Sequence, residues 1–107
     1  MISNYTQRLR RLALNATDLL EEELGLLDSR ADHKSIALSR LAALVAIGGA
    51  EPSFDELVDS AMSAGATADE MVDVLIGLSP VIGLPRVVEA APKLALALGY
   101  DLADDVS

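Results

Sequence analysis

The chain has no cysteine and no tryptophan, a single histidine, and only three aromatic residues among 107. Without cysteine there can be no disulfide, no thiolate metal site and no thiol catalysis, and the composition fits a reducing compartment, so a cytoplasmic location is expected. With Tyr5, Phe54 and Tyr100 as the whole aromatic complement, any core must be built from aliphatic side chains and alanine. Basic residues are scarce too: eight lysines and arginines against seventeen acids give a net charge of −9. Such a surface repels nucleic acid and anionic membranes. Arg8, Arg10 and Arg11 form the only basic cluster, and with Tyr5 alone beside them they read as a solvated helix face. No run reaches the ~20 apolar residues that span a bilayer. The longest, Ile36 to Gly49, is interrupted by Arg40, and the N-terminus lacks the apolar stretch of a signal peptide. "AIGGAEP" lacks the lysine and hydroxyl of a phosphate-binding loop. The expectation is a soluble protein with no nucleic-acid or membrane partner, no cofactor and no metal.

What is present is helical. Apolar residues make up 51% of the chain, led by alanine and leucine, and two-residue alternation is absent. The spacing predicts an all-α, compact bundle of about five to six helices in one domain, 1–107. A first helix starts near Asn4 or Thr6 and carries Leu9, Leu12, Ala13, Ala16, Leu19 and Leu20 on one side, with a break expected between Asn15 and Asp18. Gly25 and the polar run from Asp28 to Asp32 close that region. Asp32 can cap a second helix running from about Ser35 to Ile47. That helix is apolar nearly all round, which predicts that others wrap it or that it lies in an interface. Ser53 with Glu56, and Thr67 with Glu70, each have the spacing of a capping box, and Gly65 between them is placed to end a helix. Phe54, Leu57, Val58, Ala61 and Met62 form one apolar stripe; Met71, Val74, Leu75 and Leu78 form the next. Ser79–Pro80 is expected to stop the fourth helix, "GLP" at Gly83 to start the fifth, and Pro92 to kink or restart it.

The segments "KSIALSRLAALVAIGG" (34–49), "ELVDSAMSAGATADEMVDVL" (56–75) and "GLPRVVEAAPKLALALGYD" (83–101) together resemble the carboxymuconolactone decarboxylase family, which includes the alkylhydroperoxidase-D-like proteins. The likeness covers about 32–101. It implies an all-helical fold and a homo-oligomer, trimer or hexamer. The family's catalytic residues do not carry over. Its histidine position falls on Leu57, its cysteine positions on Ala50 and Ser53, and its glutamate near Ala37 or Leu38. The aromatic residue that decarboxylase members place before the "GxP" turn is replaced by Val81–Ile82. Glu70 matches the family's glutamate after the glycine, and capping accounts for it.

No catalytic residue is therefore assigned. Arg40, set among Ile36, Ala37, Ala43 and Leu44, must snorkel or meet a carboxylate, which makes it a structural ion-pair residue or an anion site. Arg86, after the "GLP" turn, is a solvated residue or lines a pocket. His33 reads as an exposed histidine at a helix start, since one histidine without spaced carboxylates makes no metal site. Glu21, Glu22 and Glu23 read as a solvated face, and Met62 and Met71 as core. Two functions are left open. One is a non-catalytic oligomeric module that binds an apolar small molecule or a protein. The other is a lyase or isomerase acting on a small lactone or carboxylate, with Arg40 or Arg86 holding the anion.

Overall fold

A computed structural model describes residues 5–15, 18, 20–22, 24 and 32–100. The described residues are helical, with no strand among them. The chain divides into two compact units, Met1–Asp32 and His33–Ser107.

In the first unit, helix α1 spans Tyr5–Ala13 and buries none of its residues. It begins where the sequence places it. Asn15, in the left-handed region at φ 62°, ends the following turn with its N–H donating to the Leu12 carbonyl at 3.0 Å; asparagine tolerates that conformation better than most residues. Positions 18, 20–22 and 24 are again helical, and Arg11 reaches Asp18 at 3.0 Å. Ala16, Leu19, Glu23, Gly25 and the run from Asp28 to Ala31 lie outside the described residues.

The second unit holds four helices: α2 His33–Ile47, α3 Glu51–Ser63, α4 Ala68–Ile82 and α5 Leu84–Ala97. α2 packs against the other three, and α5 packs against α3 and α4 as well. Ala37, Leu41, Leu44 and Val45 turn inward from α2, while Ser39, Arg40, Ala43 and Ile47 stay exposed. Phe54, Val58, Ala61, Met71, Leu75, Ala90 and Leu94 complete the centre. Phe54 is the one aromatic side chain there, so leucine, valine and alanine do fill the core.

Thr67 caps α4 as its spacing predicts. Its hydroxyl accepts from the Glu70 N–H at 3.1 Å, and the Glu70 carboxylate accepts from the Thr67 N–H at 2.9 Å. Before it, the Ala66 N–H donates to the Ala61 carbonyl and the Gly65 N–H to that of Met62, closing the end of α3.

Four expectations are corrected. Ser53–Glu56 is not a capping box: the N-cap of α3 lies three residues earlier, at Ala50, with Pro52 in the first turn. Proline is already set to helical φ and lacks an N–H that would be orphaned there. The Ser53 amide then donates to the Ala50 carbonyl and needs no carboxylate. Ser79–Pro80 does not stop α4, which continues to Ile82. Pro80 deprives the Ile76 carbonyl of its usual donor, and the Ser79 hydroxyl supplies one at 2.9 Å. Of the kink or restart expected at Pro92, the restart does not occur: α5 is continuous through it. Met62 is not core but 50% exposed. Eight residues after Phe54, it has drifted about 80° around a 3.6-residue helix, off the buried stripe.

A single residue, Gly83, joins α4 to α5. Its φ of 91° and ψ of 150° fall in a region open essentially to glycine alone, and this allows the chain to reverse there with no loop.

Candidate functional site

Three surface features of the second unit gather chemically capable side chains. The first is the turn after α2. Gly48, at φ 78°, lies under the Arg86 guanidinium of α5, which a Cβ at this position would strike. Two turns further along α5, Lys93 donates from Nζ to the Gly49 carbonyl at 2.9 Å. Glu89 stands between them, 3.5 Å from Lys93 and 4.0 Å from Arg86. Two cations thus sit at the carbonyl end of α2, where the helix dipole and unpaired carbonyls favour positive charge. Arg86 is therefore held in a structural cluster and not merely solvated. Lys93, the residue that makes the direct bond, carries no local sequence signal, because its partner lies 44 positions away.

The second feature is a shallow polar dish lined by His33, Glu56, Asp59, Ser60 and Ser63. His33 is the exposed first residue of α2. Among the described residues no three histidine or acidic side chains are placed to hold a metal ion. Lys34, next to His33 on α2, donates to Glu70 at 2.9 Å. That bond, followed by the Thr67 backbone N–H, holds the Glu70 carboxyl below the ordinary glutamate value.

The third feature is a groove between α4 and α5. Val72 and Leu75 form one wall, Ala91, Leu94, Ala95 and Leu98 the other, and Tyr100 closes the end. Its volume is about 310 Å³, at the lower limit of small-molecule sites. Apart from the Tyr100 phenol, every lining side chain is hydrocarbon. The groove exists because α4 carries Val72 beside its buried Met71–Leu75 stripe, and because Ala91 and Ala95 leave room on α5 where longer side chains would fill it. The small residues that open the space could be read only once α5 was laid against α4.

Neither Arg40 nor Arg86 lines this groove, and the two are not brought together at either depression. Arg40 is exposed on α2 and makes no ion pair with a described residue.

No protein-family model, curated protein or solved structure matches this chain. Its chemistry must be read from its own surface. Among the described residues no helix is long and apolar enough to cross a membrane, and every buried side-chain nitrogen or oxygen has a hydrogen-bond partner.

Proposed function

We propose that this chain is a non-catalytic, self-assembling helical module on a carboxymuconolactone decarboxylase-like scaffold, and that its α4–α5 groove binds a small apolar molecule. The observation that carries the reading is the groove itself, a preformed hydrocarbon-lined space left open to solvent. Water in such a space gains few hydrogen bonds, so an apolar occupant that displaces it is favoured. A carboxylate ligand finds no cation among the lining residues, and Asp69 and Asp73 flank Val72 on α4. This sets the apolar ligand above the carboxylate substrate that a lyase or isomerase would need. Self-assembly is supported by the exposed strip of α2 and by the oligomers that the family resemblance implies.

Methyl-resolved NMR during titration with benzene or cyclohexane tests the groove. Ala91, Ala95 and Leu98 methyl signals should shift together, and Ala95→Phe, which fills the space, should abolish the shifts. Unshifted methyls, or shifts that persist in the filled variant, would overturn the reading.

A further inference from the structure

We infer that the α4–α5 groove takes a small organic cation: an apolar body that fills the groove, and one protonated amine left at its rim. This rests on the reading of the groove given above and names the class of molecule that occupies it. Beyond the Tyr100 phenol the groove offers a ligand nothing polar. An ionised group must therefore stay in water at the edge, because burying it unpaired is costly. The charge of that edge then decides which ligand is held.

On α4 the edge is acidic. Val72 lines the groove and is itself 41% exposed, which makes it the rim on this side. Asp69 lies three residues before Val72 and neighbours it on the helix surface; Asp73 lies four after Asp69 and neighbours that in turn. Leu75, on the other flank of Val72, is buried, so the two aspartates stand on its outward flank. Both are exposed, and neither forms an ion pair with a described residue. No cation offsets them there. From Leu41 to Pro85 the sequence has no lysine or arginine. Lys34 meets α4 at Glu70, two residues before Val72 and so on its far face. Lys93 falls midway in sequence between Ala91 and Ala95, which puts it on the face of α5 opposite both, and with Arg86 it covers the turn after α2. At this rim an anion is repelled, a neutral group gains nothing, and an ammonium is attracted. An alkylamine is protonated at neutral pH, as a lysine side chain is. The α5 wall from Ala91 to Leu98 runs about 10 Å, room for a chain of about six carbons.

Hexylamine, 1-hexanol and hexanoate share a tail and differ in charge, so parallel titrations of the full chain at pH 7, followed at the Ala91, Ala95 and Leu98 methyls, test this. Hexylamine should bind roughly 3–10-fold more tightly than hexanol, the range open to two exposed carboxylates, and hexanoate most weakly. Raised salt should shrink that advantage while leaving hexanol alone. In the double variant Asp69→Asn, Asp73→Asn, hexylamine should fall to the level of hexanol, whose own unchanged binding reports that the groove is intact. Hexylamine that binds no better than hexanol in wild type, or an advantage indifferent to salt, would overturn the inference. An advantage that survives the double variant would do the same. If benzene and hexanol bind but the ammonium adds nothing, the apolar groove stands and only its cationic ligand falls. If none of these probes moves the groove methyls, both readings fall together.

Discussion

Glu70 takes part in several interactions at once. It completes the Thr67 cap, accepts from Lys34 and stands in the first turn of α4, where the helix dipole favours negative charge. The Lys34 ammonium, and after it the Thr67 N–H, favour its ionised form in the folded state, which is why its pKa is lowered from 4.5. A carboxyl with a depressed native pKa contributes fully above the unfolded value and loses that contribution as pH falls through the native one. Glu70→Gln should therefore lower the thermal midpoint by a constant amount at neutral pH, and the gap to wild type should close as pH drops below 4.5. Melting curves of both proteins across that range check this. A gap independent of pH would mean that Lys34 and Thr67 do not distinguish the ionised carboxyl. The pair is partly exposed, so salt should narrow the gap as well.

At the scale of the helix, Ser79 and Pro80 act as a unit. The proline removes an N–H from the middle of the fourth turn of α4, and the neighbouring hydroxyl donates to the carbonyl so vacated. Ser79→Ala should cost about 1 kcal/mol, the usual net value of such a bond, measured as a shift in denaturant midpoint without a change in slope. No loss would mean that water replaces the hydroxyl. The same pair shows why some of the fold could be read ahead of the structure and some could not. The Thr67–Glu70 box is local, with four residues making both of its bonds, so its spacing was sufficient. Ser53–Glu56 has identical spacing, yet Pro52 starts the helix earlier and leaves the serine amide with a backbone acceptor. Two local signals competed there, and spacing does not rank them. The apolar stripes placed Phe54, Val58, Met71 and Leu75 correctly because each is fixed by one helix's period. The groove and the Lys93–Gly49 bond depend on which helices become neighbours, and no single segment encodes that. Arg40 stood out in the sequence as a charge among apolar residues and Arg86 by its place after the "GLP" turn; the structure sets Arg86 against the Gly48 turn and leaves Arg40 on the surface.

Across the whole molecule, burial is strongly uneven. Every buried residue described lies between Ala37 and Leu94, and α1 buries none. The four helices from His33 onward therefore hold the whole described core, joined by turns of three, four and one residues. Short connections keep the entropy of closing each contact low, and cooperative unfolding needs only that these four helices lose their packing together. A fragment beginning at His33 is thus expected to unfold in one transition. The denaturant slope reports the surface exposed on unfolding. Since the described part of the first unit adds no buried residue, the fragment's slope should agree with that of the full chain within the ~10–15% uncertainty of such extrapolations. Urea titrations followed by circular dichroism provide the comparison. A broad, non-cooperative transition in the fragment would show that residues 1–32 complete the fold after all. A much smaller slope would show that they bury surface beyond that of the described residues. Either result would move the centre of the molecule toward its N-terminal third, and the α4–α5 groove would then have to be judged with that segment as a possible neighbour.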